Sequence, residues 1–296
     1  MIPYTRKTLP NGLTVVVNRD RASKLAAVNI LYRVGARNEN PARTGFAHLF
    51  EHLMFRGTRA VENFDLPVQM ASGDNNAFTN NDYTDFYITL PKDNLETALW
   101  LESDRMEGLD ITPAKLEAEK KVVIEEFRQR YLNQPYGDQT MLLRALAYKV
   151  HPYRWAAIGL ATDHIAGATL ADVESFYRAH YRPSNAILSI SADMEEERML
   201  ELAEKWFAPL ADHPSATAAI PQEPVQTQAR RQEVERDVPA STVTVAYHMC
   251  ARTKPDFYTA DLVSDLLSGG DSGRLYTHLV KERNLLSSVN AYITGD

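Results

Sequence analysis

His48, Glu51 and His52 stand at i, i+3 and i+4 in residues 45–57, GFAHLFEHLMFRG. On a helix all three project from one face. Two imidazoles one turn apart can hold a divalent metal, and a carboxylate beside them can take a proton from metal-bound water. The stretch therefore outlines a hydrolytic zinc site. The competing reading is an amphipathic helix with two hydrogen-bonded core histidines. Cys250 is the only cysteine, so an intrachain disulfide or a thiolate zinc site is excluded and any metal must be held by His, Asp or Glu.

A third ligand has to come from elsewhere. Thr112-Pro113 reads as a helix N-cap followed by proline at the first helical position. Leu116, Glu119, Val123, Glu126, Phe127 and Arg130 then share one stripe, whereas Glu117 and Glu125 project elsewhere. A carboxylate on an apolar stripe is costly unless it is paired or bound to a cation. Glu119 or Glu126 is thus the best-placed type of residue, and periodicity does not choose between them. His151, His164, His180, His213, His248 and His278 have no second ligand at helical spacing and read as structural or surface residues.

The elements that position these residues follow in order. Residues 13–18 (LTVVVN), after the Asn11-Gly12 turn, and 26–34 (AAVNILYRV) read as neighbouring strands of one sheet. The polar segment 36–44 leads to the histidine helix, with Thr44 as its N-cap. A second helix near 64–71 precedes the polar segment 72–85 and a strand at 86–90. Asn75, Asn76, Ala77, Phe78 and Thr79 could form an edge strand, which binds any peptide through its main chain. By composition alone an ordinary solvated hairpin loop is the simpler reading. Helices are expected at 94–107, from Thr169 through Tyr177, and at 195–207, with a strand at 186–191.

The chain has 296 residues, enough for one large domain or two ordinary ones, and a net charge of -7. With no run of five basic residues it is not a nucleic-acid binder. No apolar stretch reaches eighteen residues and the first residues lack a signal-peptide core, so the expectation is a soluble, cytoplasmic protein without a membrane span.

Several segments together resemble the pitrilysin or insulinase type of zinc metallopeptidase, the inverzincins with H-x-x-E-H. They are GFAHLFEHLMFRGT at 45–58, NNAFTNNDYTDFYITLP at 75–91, EKKVVIEEF at 119–127, NQPYG at 133–137, HPYRWAAIG at 151–159 and YRPSNAILSISAD at 181–193. Bacterial relatives of mitochondrial processing peptidase are the most similar members. The resemblance implies His48, His52 and Glu126 as ligands of one Zn2+ per chain, Glu51 as catalytic base, and Glu119 as an acid that supports the site by hydrogen bonding. It also implies that Asn76, Ala77, Phe78 and Thr79 form the strand that pairs with substrate, which reverses the loop reading. The implied activity is endopeptidase hydrolysis of peptides or unfolded segments. The alternative is a non-catalytic peptide-binding or partner subunit of the same fold; a purely structural zinc domain would leave Glu51 without a purpose.

The expected fold is α+β: a largely antiparallel sheet packed with helices in a complete N-terminal domain, then the start of a homologous second domain. Boundaries are placed at 1–215 for the catalytic domain, 216–240 for a proline-containing linker, and 241–296 for an incomplete, inert domain. STVTVAYHMC at 241–250 resembles AAVNILYRVG at 26–35, and YTADLVSDLLSGG at 258–270 can be laid on residues 45–57. There Asp261, Ser264 and Asp265 meet His48, Glu51 and His52, so the repeat has lost the metal chemistry. The family closes paired domains around its substrate, and its late substrate-contacting Arg and Tyr have no counterpart here; a homodimer or companion subunit is therefore expected.

Overall fold

Alternating strands with one buried face organise the chain. The structure is a computed structural model that describes residues 2–213 and 219–295. Its strands are β1 (Thr5–Thr8), β2 (Thr14–Arg19), β3 (Leu25–Tyr32), β4 (Asp74–Thr79), β5 (Thr84–Pro91) and β6 (Ala186–Ala192). They form one sheet in the order β1-β2-β6-β3-β5-β4. Among the described residues only β2 with β6 is a parallel pair and the other four pairings are antiparallel, so the sheet is mixed. The expected adjacency of β2 and β3 is corrected here: β6, arriving more than 150 residues later, lies between them. Val15 and Val17, Val28 and Ile30, Ile88 and Leu90, and Leu188 and Ile190 all point into one core and are buried. Burying each such side chain contributes about 1.5–3 kcal/mol.

The helices are α1 (Phe46–Leu53), α2 (Asp65–Met70), α3 (Leu95–Glu107), α4 (Pro113–Phe127), α5 (Gln139–Ala147), α6 (Thr162–Ala166), α7 (Leu170–His180), α8 (Glu196–Phe207) and α9 (Asp256–Ser268). α3 packs on β3 and β5 and against α8, while α1 packs on β4, β5, α4 and α7. The opposite sheet face is less buried and carries polar pairs: Asn29 donates to Asp85 at 2.6 Å and Ser191 to Asn18 at 3.0 Å. A single turn of π-helix, Arg128–Leu132, continues α4.

The chain divides into a unit ending at Ser241 and a second unit from Thr242. The 215/216 limit expected from sequence lies outside the described residues. Residues 219–241 belong to the first unit, so this stretch is not a free linker. Within the second unit, Asp261, Ser264 and Asp265 lie on α9. Residues 241–250 make no strand there, and Val243, Val245 and Tyr247 are exposed. No helix among the described residues is long and apolar enough to cross a membrane.

Candidate metal and peptide site

The helix bearing the histidines begins with a backbone that only glycine tolerates comfortably. Gly45 sits at φ 92°, and a Cβ there would meet the Ile165 side chain at 2.7 Å and the Ile158 carbonyl at 2.8 Å. Thr44 is not the N-cap: its hydroxyl lies 2.8 Å from His164 Nδ1 and accepts from the Leu160 amide at 2.8 Å. Glu39 takes that role instead. Its carboxylate accepts the Gly45 and Ala47 amides at 2.9 Å each and the Trp155 indole N–H at 3.1 Å. Burial pushes the Glu39 carboxyl up to about 8, against the pull of those donors. Sequence reasoning missed Glu39; an acid ahead of a helix that starts on glycine was its only local signal.

α4 is capped as its sequence suggests, Thr112 accepting the Lys115 amide at 3.2 Å. Glu119 and Glu126 are seven residues, two turns, apart and so face α1 together. Nitrogen and oxygen atoms of His48, His52 and Glu126 all lie within 4.8 Å of one another. Glu126 Oε2 is 3.3 Å from His52 Nε2 and 3.7 Å from His48 Nε2. Two ligands each about 2.1 Å from a tetrahedral ion stand about 3.4 Å apart, so these separations fit a zinc-sized cation. The 3.7 Å gap is too long for a hydrogen bond, and the donor set of two imidazoles and one carboxylate suits zinc.

Glu119 is outside that triad. Its Oε2 lies 3.4 Å from His52 Nδ1, the ring nitrogen facing away from Glu126, and Arg56 pairs with its other oxygen. Its side chain is 2% exposed, so this pairing is what allows the charge to be buried. Burial lowers His48 to about 4 and so keeps the ring neutral with a lone pair to offer, although the Glu126 charge acts in the opposite direction. For His52 burial acts downward, but Glu119 and Glu126 outweigh it and raise the ring to about 9. Glu126 is drawn below the usual range, chiefly by His52. Arg130, one turn further along, reaches Glu126 Oε1 at 3.1 Å.

Glu51 stands near His52 and Glu126 and also reaches Thr79 of β4. Burial raises its pKa, and a hydrogen bond with the Thr79 side chain works against that rise. β4 is an edge strand, paired with β5 alone. The Asn80 amide donates to the Tyr83 carbonyl at 3.0 Å, which sets the ladder's phase. By antiparallel alternation the outward-pointing backbone groups belong to Asn75, Ala77 and Thr79. Asn76 Oδ1 covers the Ala77 amide at 2.8 Å, and Phe78 faces solvent at 44% exposure. A cleft of about 520 Å³ opens beside the cluster, with Glu51, His52, Phe55, Arg56 and Glu119 in its wall.

The chain belongs to the M16 (insulinase) family of zinc metallopeptidases: the family described as "Insulinase (Peptidase family M16)" matches residues 14–156 and "Peptidase M16 inactive domain" matches 167–296. A crystal structure of a protease from Helicobacter pylori is 31% identical with a TM-score of 0.90, covering 100% of this chain and 72% of that one. The zinc protease PqqE of Helicobacter pylori is 35% identical across 95% of this chain and 64% of its own length. The probable mitochondrial-processing peptidase subunit beta of Arabidopsis thaliana is 26% identical, across 99% and 57% respectively. The chain thus spans 57–64% of these two curated relatives.

Proposed function

We propose that the first unit carries a zinc-dependent endopeptidase site acting on peptides or unfolded segments bound as an added strand along β4. The observation that carries this reading is that Glu51 interacts both with members of the His48–His52–Glu126 cluster and with Thr79 of the open sheet edge. His48, His52 and Glu126 would hold the zinc, which when bound would supply Lewis-acid polarisation of a carbonyl and a water of lowered pKa. Glu119 fixes the His52 ring through Nδ1, leaving Nε2 for the metal. Glu51, its pKa raised by burial, accepts a proton from the attacking water and returns it to the leaving amine.

The outward amides and carbonyls of Asn75, Ala77 and Thr79 bind main chain irrespective of sequence, the incoming strand replacing Asn76 Oδ1 at the Ala77 amide. Thr79 then holds both the peptide and the base, which sets the scissile bond beside the metal. Among the described residues the second unit holds no such cluster, and in the repeat read from the sequence Asp261, Ser264 and Asp265 of α9 stand at the positions of His48, Glu51 and His52.

Glu51→Gln tests the assignment. The variant should keep stoichiometric zinc while cleavage of a quenched peptide falls at least about a hundredfold. Retained chelator-sensitive cleavage would overturn the role of Glu51. A wild-type chain that neither holds zinc nor cleaves would instead support a peptide-binding subunit of this fold.

A further inference from the structure

Residues 219–241 run along the side of the first unit and contact it through charged side chains at both ends of α5. Arg230 Nη1 donates to the Leu146 and Ala147 carbonyls at 2.9 and 2.8 Å, satisfying the last turn of that helix. At the other end Arg236 donates to Asp138 at 2.8 Å, and the Tyr136 hydroxyl donates to the Ala240 carbonyl at 2.6 Å. Glu223 acts just beyond the C-terminal end of α5. Its carboxylate accepts three consecutive amides, Lys149 and Val150 at 2.8 Å and His151 at 2.9 Å. Burial would raise the Glu223 pKa, but the three donors outweigh it and hold the group ionised.

The loop that Glu223 pins reaches both halves of the site. His151 Nδ1 accepts the Tyr153 amide at 3.1 Å, and the Tyr153 hydroxyl donates to the Asp82 carboxylate at 2.7 Å. Asp82 also pairs with Arg37 at 2.8 Å and sits in the turn joining β4 to β5. Two residues further, the Trp155 indole donates to the Ala36 carbonyl at 3.0 Å and to Glu39, the carboxylate that caps the histidine helix. One short loop therefore braces the substrate-edge hairpin through Tyr153 and the start of α1 through Trp155.

We infer that residues 219–241 are a strap that positions the peptide-binding edge, with Glu223 fixing the 149–155 loop and Tyr153 transmitting its position to the β4–β5 turn. Glu223 and Tyr153 are positioning residues: Glu223 holds the 149–151 amides and Tyr153 holds Asp82. The importance of that edge rests on the proposed function, but its rigidity does not, and the two can fail separately.

Hydrogen exchange on the full chain reads the rigidity directly. The relevant amides are Asn76 and Phe78, which the ladder pairs with β5. In Glu223→Ala they should exchange roughly tenfold faster, together with residues 149–151, while α3 and β6 stay as protected as in wild type. Tyr153→Phe should loosen Asn76 and Phe78 alone. The double variant should be no faster at those amides than the faster single variant, since both act on one connection. Unchanged exchange at Asn76 and Phe78 in Glu223→Ala would overturn the strap, as would fully additive effects. Should α3 also lose protection in Glu223→Ala, the milder Glu223→Gln decides by the same comparison. In wild-type chain that cleaves peptide, either variant should raise KM several-fold with kcat and zinc content held. A wild type without cleavage refutes the peptidase reading and leaves the exchange result to decide the strap.

Discussion

At the scale of single residues, the two acids on α4 have different surroundings and therefore different expected losses. Glu126 is part of the close cluster with both imidazoles, whereas Glu119 is buried behind His52 and paired with Arg56. Glu126→Gln should abolish stoichiometric zinc by elemental analysis. Glu119→Gln should retain a site whose zinc affinity is about 10–100-fold weaker in a competition titration. Equal affinities for the two variants would contradict the separation of roles. A histidine outside the site offers a pH test. Burial, with Arg182 nearby, lowers His180 to about 4. A lowered folded pKa means stability that is present above the ordinary value of 6.5 and lost as pH falls through about 4. Wild type should therefore lose at most about 3 kcal/mol more than His180→Gln between pH 7 and 4, measured by urea unfolding.

At the scale of elements, α1 and α4 are positioned by different kinds of cap, and this decided which was readable. Thr112 lies next to the helix it caps, so T-P at its start suffices to identify it. Thr112→Ala should destabilise the chain by about 1 kcal/mol in chemical denaturation, and weaken zinc binding because α4 carries Glu119 and Glu126. α1 is capped by Glu39, six residues before Gly45 and folded back by the Trp155 contact, so adjacency misdirects the choice to Thr44. The edge strand shows the same contrast. Asn75 to Thr79 reads as strand or loop until the sheet order leaves it terminal, with Thr79 turned inward to Glu51.

At the scale of the whole chain, zinc should act as a ligand of the folded state alone. Adding zinc to a hundred times its dissociation constant should stabilise the first unit by about 2.7 kcal/mol, seen as a rise in Tm that chelator reverses. Glu126→Gln should show no such rise. The sheet that holds the site includes β6, from the segment matching the family's inactive domain, so the sequence families and the structural unit divide the chain at different points. Contacts of Glu223, Arg230 and Arg236 tie residues 219–241 to the first unit, which ends at Ser241 next to the expected start of the second domain at 241.

The chemistry of His48, Glu51 and His52 is a matter of helical period, a local property that a sequence carries in full. So are the stripe of Glu119 and Glu126, the Thr112 cap and the alternation of the strands. Burial of Glu119, the selection of Glu126 for the close cluster, the insertion of β6 between β2 and β3, and the Glu39 cap arise from contacts between residues far apart in the chain. No spacing encodes those contacts. They exist only because one sheet and its helices must share a single core, and that packing brings α4, β4 and the 151–160 loop around the start of α1.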